Sequence, residues 1–187
     1  MGPYEYVLVL ASIVVGLAIS DLLVSLKGLL RARARVTWDW AALAAAVAVL
    51  MVNIMIWWSL YAPSEKPTTI GAFVPVLVQL ILLFLLTSAV LPDEVPAAGL
   101  SLRDYYAENR RFIWTLFALT LAWALGRSIV EAAIRDGRLA IGGRIPDLAV
   151  LAVMVSMIVV RARWWHGLVL ALLILSGPVA WLSRSLG

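Results

Sequence analysis

The chain has 187 residues, enough for one domain, and 64% of them are hydrophobic and 14% charged. Soluble domains average about half and a quarter, so this composition excludes an ordinary soluble core. With no cysteine and a single histidine, His166, it also excludes disulfides, iron–sulfur clusters, thiolate zinc sites and multi-histidine metal or haem sites. No cofactor is therefore expected.

The reading is an all-α integral membrane bundle of about six transmembrane helices, with the lipid bilayer as its solvent. Apolar runs extend from about Tyr4 to Leu30, Trp40 to Tyr61, Ile70 to Leu91, Phe112 to Ile134, Pro146 to Val160 and Trp164 to Leu182. A hydrocarbon slab about 30 Å thick asks for about 20 such residues per helix, and the fifth run is short for it. Pro146 suits the first turn of a helix, so that run is expected to start at or just before it. Met1 to Glu5 carries no positive stretch ahead of the first run, and a cleaved leader is not expected.

Lysine and arginine counts give an orientation. Lys27, Arg31, Arg33 and Arg35 flank the first loop, Arg103, Arg110 and Arg111 lie in the third, and Arg161 and Arg163 form the fifth. The other side holds Lys66, Arg135, Arg138, Arg144 and Arg184. The excess places the odd loops in the cytoplasm and both termini outside. Because these cations gather at the ends of apolar runs, topology accounts for the net charge of +4, and no nucleic-acid partner is expected.

The third loop, residues 92–111, is the largest polar feature. It opens with Leu91-Pro92-Asp93-Glu94 and continues through Pro96 and Gly99, which favour turns. Ser101 three residues before Asp104 resembles a capping box, and Tyr105, Tyr106, Asn109 and Arg110 are expected to form helical turns leading into the fourth span. A short amphipathic helix on the cytoplasmic surface is the expectation here. Trp38, Trp40, Trp57, Trp58, Tyr61, Trp164, Trp165 and Trp181 fall near span ends, where indole rings sit in a bilayer interface.

Ionisable and amide side chains inside the spans are the candidate site, because lipid makes them costly. Asp21 follows Ser12, Gly16 and Ser20, which are four apart and form a small-residue stripe suited to helix packing. Asp21 itself is expected to point at a neighbouring helix. Arg127 and Glu131 stand four apart on one helix face and can pair. Asn53 and Gln79 are expected near the depth of Arg127, giving one polar layer with Glu131 and Glu5 above it and Asp21 below. Such a layer either serves an ion or small polar solute or fixes helix packing through hydrogen bonds. His166 is expected at the surface near the cytoplasmic boundary.

Catalytic motifs are missing. There is no His-Glu-x-x-His, no Gly-x-Ser-x-Gly and no glycine-rich phosphate loop. An enzyme is not expected; a lipid-modifying one would have only Glu131, Asp147 and His166 for acid–base work.

Three stretches carry a resemblance. They are Ser12-Ile-Val-Val-Gly-Leu-Ala-Ile-Ser-Asp21 leading into Leu29-Leu30-Arg31-Ala-Arg33, then Trp57-Trp58-Ser59-Leu60-Tyr61, then Leu91-Pro92-Asp93-Glu94 with Leu102-Arg103-Asp104-Tyr105-Tyr106 and Asn109-Arg110-Arg111. Over the first two-thirds of the chain this resembles small bacterial multi-pass membrane proteins of unknown function. The resemblance implies a bacterial inner membrane and supplies no activity. Ile19-Ser20-Asp21 is also similar to the Phe-Ser-Asp motif of lysosomal-type potassium channels. Val15 stands where those carry arginine, so no pore residue is transferred.

Two functional readings follow. One is a non-enzymatic membrane protein, expected to be a homo-oligomer, whose polar interior serves a small ion or solute. The other is a scaffold or sensor subunit working through the Ser101 to Arg111 segment.

Overall fold

The computed structural model describes residues 3–60, 70–136 and 142–182. Tyr61, Lys66, Arg138 and Arg184 lie outside the described residues, as does the side chain of Trp181. The described chain is all-α apart from one pair of two-residue strands. The helices are α1 (Pro3–Arg31), α2 (Trp40–Leu60), α3 (Ile70–Val90), α4 (Leu102–Asp136), α5 (Ile145–Val159) and α6 (Arg163–Leu182).

Each boundary has a local cause. Arg31 lies in the last turn of α1, where its charge suits the helix dipole. Asp39 caps α2: its Oδ1 accepts the Ala41 N–H at 2.8 Å. The Ser101 hydroxyl accepts the Asp104 N–H at 3.3 Å, the capping bond expected from the sequence. Pro146 falls in the first turn of α5. The turns at residues 102–111 do not form a separate helix; they are the start of α4, which at 35 residues runs about 52 Å, far beyond the slab.

α1 to α4 are long and apolar enough to cross a membrane, which is compatible with a membrane-embedded protein. α5, with 15 residues, rises only about 22 Å. α2 lies at the centre, against α1, α3, α4 and α6, while α3 packs on α1 and α4, and α5 packs on α4. Alanines make that central place accessible: Ala41, Ala42, Ala45, Ala46 and Ala48 are all buried. Leu17, Leu23, Ile81, Leu85 and Leu172, by contrast, are about half exposed on the outer faces. Apolar surface spread over every outer face exceeds what a soluble monomer shows and matches a lipid solvent.

Loops 1, 3 and 5 share one end of the bundle. The strand β1 (Val36–Thr37) lies before α2 and β2 (Leu100–Ser101) before α4; they pair in parallel, Val36 with Leu100 and Thr37 with Ser101. The turn after α5 joins them through Arg163, whose guanidinium meets Asp39 at 2.7 and 3.1 Å. Trp38, Trp40 and Trp164 stand exposed around this arginine-rich end.

Candidate functional site

The intramembrane polar residues occupy several depths. Asn53 is fully buried on α2, and its amide donates to the Thr87 hydroxyl of α3 at 2.8 Å and to the Val49 carbonyl at 2.9 Å. Gln79 donates from Nε2 to the Thr120 carbonyl of α4 at 3.3 Å. One turn outward, Trp123 Nε1 donates to the Pro75 carbonyl at 2.8 Å. α3 and α4 run antiparallel, so four further residues bring Arg127 level with Gly71, near the start of α3. Asn53, Gln79 and Arg127 therefore stand beside positions 87, 79 and 71 of α3, about 12 Å apart at each step. The expected single layer is instead a staircase, because α2 and α4 meet α3 in different registers.

Arg127 and Glu131 face each other at 3.8 Å near the end opposite the arginine-rich one, with the Glu131 side chain 63% exposed. Glu5 lies in the first turn of α1, toward the same end. Asp21 points at α3 as expected and accepts the Ser88 hydroxyl at 2.6 Å. The Ser12 hydroxyl donates to the Leu8 carbonyl and accepts from Trp57 Nε1 at 3.0 Å, tying α1 to α2. Gly16 and Ser20 are exposed, and a Cβ at Gly16 would meet nothing within 4 Å. The close approach expected at that stripe is not made within this chain; α1 packs inward with Ala11, Val15, Ala18 and Leu22.

Among the described residues, three buried side-chain polar atoms have no hydrogen-bond partner: Asn53 Oδ1, Gln79 Oε1 and Arg127 Nε. None of the hydrogen bonds described here joins one of these three residues to another.

The arginine-rich end holds the built site. His166, expected at the surface, is 3% exposed. Its Nε2 lies 2.9 Å from the Val160 carbonyl, which only accepts, so Nε2 carries the hydrogen. Trp114 Nε1 donates to the Tyr106 hydroxyl at 2.9 Å, and that hydroxyl lies 2.8 Å from His166 Nδ1. A neutral imidazole satisfies every group in the chain Trp114–Tyr106–His166–Val160. Arg110, 8% exposed, donates to the same Val160 carbonyl at 2.6 Å. Both side chains hold the α5–α6 turn against α4.

Beside this network opens a cavity of about 530 Å³, within the range typical of small-ligand sites. Its lining includes Arg103, Arg110 and Arg111 from α4, Arg161 from the α5–α6 turn, Arg163 from the start of α6, and the carboxylates Asp104 and Glu108. Arg161 and Arg111 stand close enough to Arg110 for their charges to oppose its own.

Chemically this end offers cation-rich binding. Both nitrogens of His166 are engaged, so it is not poised to take a substrate proton. Asp147 pairs with Arg144 at 3.5 Å at the start of α5, and Glu131 lies near the end of α4. Both are at the opposite end of the bundle from His166, so the three acid–base candidates do not meet. Among the described residues no group of three or more His, Asp or Glu is placed to hold a metal.

In the sequence Arg103, Arg110, Arg111, Arg161 and Arg163 fall on one side as topology signals, and of these only Arg103, Arg110 and Arg111 also belong to the Ser101 to Arg111 segment of the scaffold reading. Asp39 and Trp114 carry no signal of their own, and Tyr106 is legible only as part of the helical turns that lead into the fourth span. No protein-family model, no curated protein and no solved structure matches the chain.

Proposed function

We propose that the chain is a non-enzymatic integral membrane protein whose working surface is the arginine-rich end, a sensor or scaffold subunit of a bacterial inner membrane. The observation that carries this reading is the cavity lined by Arg103, Arg110, Arg111, Arg161 and Arg163 at the meeting point of loops 1, 3 and 5. The excess of arginine on these loops orients them to the cytoplasm, with both termini outside. The engagement of both His166 nitrogens supports binding over acid–base catalysis. Photo-crosslinkers at Arg103 and Glu108, compared with one at Glu131, test it in native membranes. Adducts concentrated at the first two positions support the reading; equal adducts at all three, or none, reject it.

A second reading is the ion or small-solute pathway, favoured by the orphaned Asn53 Oδ1 and Gln79 Oε1 in the core. Buried carbonyl oxygens without donors are costly and attract cations or water. Flux through purified protein in liposomes decides it. Wild type behaving like empty vesicles across common ions removes this reading, as does equal flux in Asp21→Ala and Arg127→Ala variants.

A further inference from the structure

The arginines around the cavity divide into two groups. Arg110 and Arg163 are anchored, the first on the Val160 carbonyl and the second on both oxygens of Asp39. Arg103, Arg111 and Arg161 are exposed on the cavity rim and, among the described residues, make no hydrogen bond or ion pair. Two carboxylates, Asp104 and Glu108, share the lining with five guanidiniums. Asp39 neutralises Arg163, so the lining retains an excess of two positive charges. Arg110, through the Val160 carbonyl, fixes the turn that carries Arg161 against the α4 turns that carry Arg103 and Arg111, and Arg163 ties the start of α6 to Asp39, so the unpaired forks are held around one space.

The identity of the cations adds to their number. Every cation in this lining is arginine, as are thirteen of the fifteen basic residues in the chain. A guanidinium presents a planar fork matched to two oxygens of a phosphate, and several forks around one cavity share its remaining oxygens. Trp38, Trp40 and Trp164 surround the same end, which places the cavity at headgroup depth in a bilayer.

We propose that this cavity binds a phosphate group, presented by an anionic phospholipid of the adjoining leaflet or carried free in the cytoplasm, with Arg103, Arg111 and Arg161 as its principal ligands. The proposal rests on the reading of this end as the working surface and names what that surface recognises. The phosphate bridges α4 and the α5–α6 turn, so occupancy stiffens the contact between them.

The test uses the full-length protein in neutral phosphatidylcholine nanodiscs. Phosphatidic acid incorporated in the disc, read by native mass spectrometry, probes the lipid source; inorganic phosphate and glycerol phosphate, titrated by calorimetry, probe the soluble one. Saturable, salt-sensitive binding is expected in at least one arm, and that arm identifies the source. Replacing Arg103, Arg111 and Arg161 with Gln should weaken it by about tenfold for each arginine removed. A control triple variant, Lys27→Gln, Arg33→Gln and Arg35→Gln, lies at the same end outside the lining and should retain binding within about threefold. Ala107→Trp, which fills the cavity without changing charge, should abolish binding independently of the arginine changes. No binding in any arm, or equal losses in cavity and control variants, overturns the proposal. If crosslinks still concentrate at this end in that event, the working-surface reading survives with a different ligand; if they do not, both fall.

Discussion

The Tyr106 hydroxyl lies 2.8 Å from Nδ1 of His166, and that contact joins two helices whose residues are 60 positions apart in sequence. Because Trp114 Nε1 donates to the same hydroxyl, removing it leaves a buried donor and a buried acceptor unmet. Tyr106→Phe should therefore cost about 1–3 kcal/mol. Thermal unfolding in detergent checks this as a lower midpoint; an unchanged midpoint would mean that the bond chain contributes nothing to holding α4 on α6.

Asp39 does two separable things. It caps α2 through the Ala41 N–H and receives Arg163 on both oxygens. Asp39→Asn keeps a capping oxygen and removes the charge, whereas Asp39→Ala removes both. The cap is expected to contribute about 1 kcal/mol. The ion pair should contribute less, because the Arg163 side chain is 45% exposed and screened by solvent. The expected order of unfolding midpoints is wild type, then Asn, then Ala. An Asn variant as unstable as Ala would give the dominant role to charge.

Gly99 sits at φ +97°, just before β2, and a Cβ there would approach the Arg35 carbonyl oxygen at 3.0 Å. Both the left-handed backbone and the close neighbour oppose a side chain. Gly99→Ala should lose about 1–2 kcal/mol and loosen the pairing of Val36 with Leu100. Limited proteolysis should then nick residues 92–99 faster than in wild type. Equal rates would show that the strand pair does not restrain the loop.

Asn53 donates to Thr87 but leaves Oδ1 unmatched. Asn53→Leu loses one interhelical bond and relieves one orphan, so a net loss below about 1.7 kcal/mol is expected. A larger loss by thermal unfolding would mean that Oδ1 has an occupant that stabilises the bundle.

The helices were legible because lipid imposes a simple pattern. The start of α2 at Trp40 and the end of α3 at Val90 fall within one residue of the apolar runs, and α5 starts beside Pro146. α4 is longer than its apolar run because Ser101 starts it in a polar stretch, where hydropathy gives no helix signal. The strands β1 and β2 are two residues each, too short for periodicity to reveal. Helix register was also invisible, since nothing in Asn53 or Gln79 states which turn of α3 each meets. His166 looked like a surface residue because its burial comes from Tyr106 and Trp114, far away in sequence. Asp39 and Arg163, 124 positions apart, become a pair only when the fold closes loops 1 and 5 together.

The lipid-solvated bundle, with loops 1, 3 and 5 on one face, is tested most directly by single-cysteine labelling, which the cysteine-free sequence makes clean. Leu17 and Leu85 are 57% and 46% exposed on the outer surface of α1 and α3, whereas Glu94 and Arg103 lie at the arginine-rich end. In sealed membranes a water-soluble maleimide should leave Leu17→Cys and Leu85→Cys unmodified. Glu94→Cys and Arg103→Cys should react with it, both from the same side. Rapid labelling at Leu17→Cys and Leu85→Cys, or reaction of the other two from opposite sides, would contradict the account.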